Sequence, residues 1–499
     1  MAADAPNAIC LFHSLMNTII SYQPTTGLAL SSMGNDSHGK LVCLCAQVMC
    51  VLLDCGMPGN PECVKNGEGE HLVQYEEASK GGFNIFRTLL ARIDSGKDLS
   101  AIYTGLTRLL WNVHQSKNTM LPGSRKGIQC YQEILIIIWK LLEENPLFLT
   151  HVLNRCDVTE LVVPVCYFMY QARKDPSQVG LIHICTFLLL KLSGERSFGV
   201  SLNKPFDTKL PCDIPLFGGG HADLITISLH KLVVNGAYKL VPLYSCFLTI
   251  ICNISPYWRS MSLVAAVKLV NLFELFASPK FLYSSDKSYR QLALLLEVFN
   301  NVIQYQYYGN QHLVYAIIRR KDTYGKLSTL TLARALSQCK REYGDRIAYE
   351  DDHKDIFNLK EYDEHGKALK NTNDDYSQSD ANVHFRPTEN WLVEFKEAMP
   401  FETISRLLQH LVPVIDDVID RKDGVVDEGE ILDVLKNVTM VGLLPVPHAI
   451  VIRKYQPNQY TSLWFTAYLW GVVFLGNQVL PIFDGESIEL FQVSLGNRR

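Results

Sequence analysis

The chain has 499 residues, 47% hydrophobic and 20% charged, a composition that fits a globular protein with a large core. At this length several domains or one extended repeat array are expected, not a single core. The net charge of −4 and pI of about 6.4 leave no basic footprint, which argues against nucleic acid as a partner.

Residues 8–55 predict two apolar helices around a polar break at Thr25–Lys40, followed by a loop over Gly56–Gly82. Apolar residues then recur at helical spacing in Phe83–Arg92, Leu99–His114, Ile128–Glu143, Leu161–Ala172 and Val179–Leu192. Asp98, Pro122-Gly123, Pro146, Asp157 and Asp175-Pro176 separate them as caps and breakers. Ser193–Gly220 lacks periodicity and predicts a long ordered loop or a short strand pair. Helices resume at Ala222–Val234, Leu240–Ile254, Met261–Phe276, Tyr289–Tyr305 and His312–Arg320. From Arg341 to Arg386, 12 Asp/Glu stand against 7 Lys/Arg with few aliphatics, which predicts a disordered acidic insertion. Structure is expected again from Trp391 to Phe491. These features divide the chain into 1–340 (helical repeat), 341–388 (insertion) and 389–499 (C-terminal helical region). The expected class is all-α, a HEAT- or armadillo-like α-solenoid, because such helices cannot hide their apolar faces alone.

Tyr455–Phe483 carries no charge, and its apolar part is about 16 residues against the ~20 that a spanning helix needs. Its aromatics, Trp464, Phe465, Tyr468 and Trp470, lie inside the run and form no flanking belts. A buried core helix is the expectation, with an integral membrane protein anchored at 460–475 as the alternative. The start of the chain shows no basic n-region or cleavage pattern, and Ala2 stands where N-myristoylation needs glycine. The cysteines lie mostly in apolar runs, as Cys246 and Cys252 do, and read as buried thiols of a reducing compartment. A cytosolic protein is expected.

Chemical motifs are weak. Gly34–Lys40 resembles a phosphate loop, but Leu41 replaces the Ser or Thr that ligates magnesium. Around Gly424, Ile419 and Arg421 fall where a calcium loop needs oxygen ligands, so a turn between helices is expected. Cys43, Cys45, Cys50, Cys55 and Cys63 do not match a zinc pattern; Cys43 and Cys50 share a helix face, as core positions do. Gly218-Gly-Gly-His221 has no nucleophile elbow to serve, and no zinc-helix signature occurs. No catalytic, metal-binding or cofactor-binding residue is nominated, and no cofactor is expected. An enzyme site around Glu195, Arg196, Asn203 and Lys204 is the remaining catalytic alternative. Asn112, Asn253 and Asn301 each follow an apolar helical run. In armadillo-type repeats such an Asn faces a groove, where its amide can bond an extended peptide. These three are the candidate protein-interaction residues; an Asn closing a helix is the plain structural reading.

Several longer strings resemble the high-temperature-induced dauer formation protein family. They are Leu192–Phe206, Asp213-Ile-Pro-Leu-Phe with His221-Ala-Asp-Leu, Leu296–Tyr307 running into Leu313–Arg320, and Val441–Gln456 followed by Leu463–Gly471. The likeness covers about Asn84–Phe491. It implies a scaffold on the cytosolic face of Golgi and trans-Golgi membranes, peripherally associated, acting in dense-core vesicle formation and cargo sorting with other secretory-pathway proteins. Many family members open with a Met-Gly acylation signal and are longer, so this chain is expected to be a shortened member. The family supplies no catalytic residue to carry over.

Overall fold

The computed structural model describes residues 7–24, 37–54, 84–118, 127–236, 238–343, 385–422 and 426–484. Among the described residues every regular element is a helix, apart from one isolated antiparallel bridge between Pro205 and Gly220. The fold is all-α. It divides into two compact units, residues 1–268 with 305–312 and 448–499, and residues 269–304 with 313–447. These units do not follow the divisions drawn at 340 and 388. Residues 448–484 belong to the first unit, whereas the described residues from 389 to 447 belong to the second.

The first unit begins with α1 (Ala8–Ser21), α2 (Ser37–Asp54), α3 (Ile85–Ala91), α4 (Gly96–Lys117), α5 (Tyr131–Glu144) and α6 (Pro146–Arg155). It continues with α7 (Thr159–Ala172), α8 (Val179–Ser193), α9 (Arg196–Ser201), α10 (His221–Asn235) and α11 (Tyr244–Ile254). Two rows run through it. In one, α1 packs on α4, α4 on α7 and α7 on α10; in the other, α2 packs on α5, α5 on α8 and α8 on α11. Helices such as α7 and α8 are buried on nearly every side. In α5, Ile134 through Leu142 is buried throughout, which is the pattern of a helix enclosed by neighbours.

Two predicted boundaries differ, for local reasons. Pro146, read as a separator, opens α6: Asn145 accepts from Phe148 N at 2.9 Å, and proline at the first helical position lacks only a donor with no helical partner. Within Ser193–Gly220, read as loop or strand pair, Arg196–Ser201 is a helix pinned by the buried Phe198. The rest of that segment is strapped to α7. Arg173 meets Asp213 at 2.8 and 3.0 Å, and Tyr170 donates to Asp213 O at 2.7 Å. It ends where Asp223 accepts from Gly220 N at 2.8 Å and Ser262 N at 2.7 Å, starting α10.

The division falls within α12 (Leu263–Ala277). The second unit holds α13 (Pro279–Leu282), α14 (Tyr289–Tyr305), α15 (Gln311–Ile318), α16 (Lys321–Ser328), α17 (Leu332–Tyr343), α18 (Glu389–Ala398), α19 (Glu402–Asp420) and α20 (Glu428–Asn437), with the ends of α14 and α15 counted in the first. Its centre is aromatic: Phe273 stacks on Tyr324 at 4.4 Å and meets Phe299 edge-on. Trp391 stacks on Phe395 and donates to Asp286 O at 3.0 Å. The acidic stretch expected to be disordered lies outside the described residues over 344–384, as does the loop expected at 56–82. Cys339 donates to Phe385 O at 3.4 Å, so the residues flanking 344–384 meet.

Among the described residues, Ser37–Asp54, Pro176–Ser193 and Leu240–Tyr257 are long and apolar enough to cross a membrane by length and composition. Each packs against neighbouring helices of the first unit. The 460–475 run is not among them.

The α2–α5 interface holds a titratable group with a calculable consequence. Glu133 is pushed up to about 7 by burial, against its own backbone N–H and Gln47, which favour the carboxylate. The sign follows from linkage. The folded state holds this proton more tightly than the unfolded chain, so stability is greatest at low pH and falls as pH rises from about 4.5 through about 7. Glu133→Gln is expected to raise stability at pH 8 by up to roughly 3 kcal/mol and leave it little changed at pH 5, measured by urea unfolding at both pH values.

Candidate interaction groove

The last helix, α21 (Gln459–Asn477), and the irregular segment before it cover the α2–α5–α8–α11 row from its far end backwards. A segment without helix or strand must satisfy its backbone elsewhere. Asn253, at the end of α11, does this for Arg453: Asn253 Nδ2 donates to Arg453 O at 2.9 Å and Arg453 N donates to Asn253 Oδ1 at 2.8 Å. A carboxamide offers one donor edge and one acceptor, so it matches the two backbone groups of one residue. The same Nδ2 also donates to Ser193 Oγ at 3.1 Å. The peptide that Asn253 grips is therefore the chain's own.

From that clamp the segment walks back along the row. Lys454 pairs with Glu195 at 2.7 Å. Tyr455 meets Trp139 edge-on at 5.3 Å, and Phe465 stacks on the same indole at 4.3 Å. Trp464 stacks on His183, Tyr468 Oη donates to Gln132 at 2.8 Å, and Trp470 Nε1 donates to Asp54 at 2.8 Å. Two glycines permit the approach. A Cβ on Gly180 would lie 2.8 Å from the Tyr468 ring, and one on Gly476 would lie 2.1 Å from Gln47 Nε2. The expected buried core helix is thus buried on one flank only. Phe465, Leu469, Val472 and Val473 face inward, whereas Tyr460 is 78%, Leu463 67% and Leu475 63% exposed. An uncharged helix carries no polar stripe to reveal in advance which side is covered.

The three nominated asparagines are not brought together. Asn112 lies on α4, in the other row, where its Oδ1 accepts from Ile128 N at 2.9 Å. Asn253 holds Arg453. Asn301 belongs to the second unit, is buried and has a contact within the fold; beside it Asn300 donates to Pro400 O at 2.8 Å. Sequence reasoning missed Trp139, Phe187 and Tyr455, which form the aromatic seat. The available signal was an indole in the middle of an aliphatic helix and a tyrosine two residues after Arg453.

The other motifs resolve as structure. Glu195 is paired with Lys454. Lys204 pairs with Asp157 at 2.8 Å, and Asn203 donates to Tyr257 O and accepts from Arg259 N, both at 2.9 Å. Arg196 lies 6.0 Å from the Tyr257 ring centre. Gly34 and residues 423–425 lie outside the described residues; beside the latter, Glu430 is paired with Lys422 at 2.6 Å. Among the described residues no group of three or more His, Cys, Asp and Glu side chains is placed to hold a metal. In the second unit a cleft of about 320 Å³ lies between α16 and α19, lined by Tyr324, Ser328, Leu408, Gln409 and Pro413 with Lys321 at hand. His114, His183 and His230 are each held down to about 4 by burial, on α4, α8 and α10. Displaced titration here accompanies packing.

Removing the Asn253 amide takes both of its bonds from the backbone of the half-buried Arg453. Asn253→Ala is expected to lower stability by about 2–4 kcal/mol, and Asn112→Ala, which loses one bond, by about 1–2 kcal/mol, both read by chemical denaturation.

Comparison with known proteins places this architecture. The family model described as Dymeclin: Dyggve-Melchior-Clausen syndrome protein matches residues 1–472. Protein HID1 of Mus musculus is 37% identical over 98% of this chain and 69% of its own length. Protein HID1 of Dictyostelium discoideum is 29% identical over 82% of this chain and 54% of its own. Dymeclin of Gallus gallus is 21% identical over 49% of this chain and 40% of its own. No solved structure gives a significant match. With more than a third of its residues identical to a relative along nearly its whole length, the chain belongs to the HID1 family.

Proposed function

We propose that this chain is a non-enzymatic cytosolic scaffold that associates peripherally with Golgi and trans-Golgi membranes and acts in secretory, dense-core vesicle formation and cargo sorting. Family membership over 98% of the chain supports the setting. The observation that carries the mechanism is the outer flank of α21, a 19-residue helix without a charge. There Tyr460, Leu463 and Leu475 stand in solvent. Exposed apolar side chains gathered on one element mark an interaction surface more often than chance exposure does.

In this reading the two helix rows are an armadillo-like repeat whose groove is filled by the chain's own Arg453–Leu469 stretch. Partners from the secretory pathway, and the membrane, then meet the surface that the filled groove presents. The ionisable groups of the site are committed to internal pairs, as Glu195 is to Lys454, and this favours binding over chemistry.

Fractionation of secretory cells tests the proposal. The chain is expected to co-sediment with Golgi membranes and to be released by alkaline carbonate, and Leu463→Glu with Leu475→Glu to lower the sedimenting fraction several-fold at unchanged helix content. Retention in the carbonate pellet makes it an integral membrane protein. A uniform cytosolic distribution, with normal dense-core vesicle content in cells lacking the chain, contradicts the proposal.

A further inference from the structure

The cleft of the second unit is open because one side chain is missing from its wall. On α16, Lys321, Tyr324 and Ser328 line it at helical spacing, and Gly325 stands among them where a larger residue would fill the space. A Cβ on Gly325 would meet nothing within 4 Å beyond its own turn of helix. The gap of about 320 Å³ is at the small end of the range for binding pockets, room for one large side chain. Its walls are held in place. Tyr324 is buried and stacks on Phe273 at 4.4 Å, and Lys321 reaches Asp416 of α19 at 3.6 Å. Asn300 and Gln304 of α14 fix the start of α19, donating to Pro400 O at 2.8 Å and Thr403 Oγ1 at 3.0 Å.

The α19 wall adds a directional group. Pro413 lies inside the helix and has no N–H, so the carbonyl of Gln409, four residues earlier, loses its helical donor. Residues four apart share a helix face, and Gln409 and Pro413 both line the cleft, so that carbonyl belongs to its wall. Leu408, Val412 and the Pro413 ring make the surface around it apolar. An apolar side chain fits such a gap, and the carbonyl calls for an N–H beside it. A peptide has a main-chain N–H to spare where it is extended, because a helix uses its own. Charge narrows the choice further. Past Pro413, α19 carries Asp416, Asp417 and Asp420. Asp417 is paired with Arg421, whereas the Lys321–Asp416 contact at 3.6 Å is longer than a hydrogen bond, so the exposed Asp416 carboxylate keeps room for a second cation.

We propose that the α16–α19 cleft receives an extended, basic segment of a partner protein. The segment seats one large apolar side chain over Gly325, bonds Gln409 O through the main-chain N–H of that residue, and sets a neighbouring Lys or Arg beside Asp416. The cleft belongs to the second unit and α21 to the first, so this surface and the outer flank of α21 can be tested apart.

A random linear heptapeptide library displayed on phage serves as the probe, selected on the intact chain and depleted on its Gly325→Leu variant, whose added side chain occupies the gap. The retained peptides are expected to share one large apolar residue next to Lys or Arg. Made as free peptides, they are expected to bind Gly325→Leu about tenfold more weakly than the wild type, and to lose affinity several-fold when the amide of the apolar residue is N-methylated. Pro413→Ala returns a helical donor to Gln409 O and is expected to weaken binding several-fold as well. Both substitutions favour the helix, so each variant is expected to melt no lower than the wild type, which separates loss of the site from loss of the fold. Should Gly325→Leu fold poorly, depletion on Pro413→Ala decides. The chain carrying Leu463→Glu and Leu475→Glu is expected to bind the same peptides unchanged. Retained peptides that bind both cleft variants as tightly as the wild type, that are acidic, or that are helical when bound overturn the proposal, as does a selection that retains none.

Discussion

Asn253 carries one carboxamide on the last turn of an otherwise apolar helix, and that group receives the backbone of a residue two hundred positions further on. The exchange is between equals: each partner brings one donor and one acceptor, with Asn253 buried and Arg453 half-buried. Because the bonds go to main-chain atoms, they fix where the segment lies and leave its side chains to choose their own contacts. Lys454 and Tyr455 on one side, and the whole of α21 after them, take their places from that anchor. Inside a helix interface such a pairing gains little over hydration but costs much when broken, so it acts chiefly as a constraint on position.

The same device recurs. Asn203 spans Tyr257 O and Arg259 N, and Asn145 donates to Leu90 O and Ile93 O while capping α6. Asn310 holds Trp258 O at 2.9 Å. Rows of apolar helices supply most of the burial energy without specifying how the irregular joints run. Buried carboxamides supply that second kind of information. A fold of this type is therefore stabilised by its aliphatic faces and specified by a few amides.

Much of this was legible in the chain. Helical spacing locates nearly every helix of the two rows, since a run such as Ile134–Leu142 admits few alternatives, and an Asn closing the apolar run of α11 is plain in the chain. The occupant was not legible. Nothing local to Val441–Gln456 says that it returns to α11, because the contact depends on two surfaces far apart in sequence. For α21 the difficulty was different: a helix without charges has no stripe to show which flank is inward, and the choice was made by Trp139, Gly180 and Gly476's partner Gln47.

That the C-terminal segment is an integral layer of the first unit is the claim on which the account rests, and amide hydrogen exchange on the intact chain measures it directly. The Arg453 amide and the amides in the middle of α21 are expected to exchange as slowly as those of α8 and α11, through the same global opening. Exchange of Arg453 and α21 at rates near those of an unstructured peptide, with α8 and α11 still protected, would show the groove to be empty in solution and contradict the account.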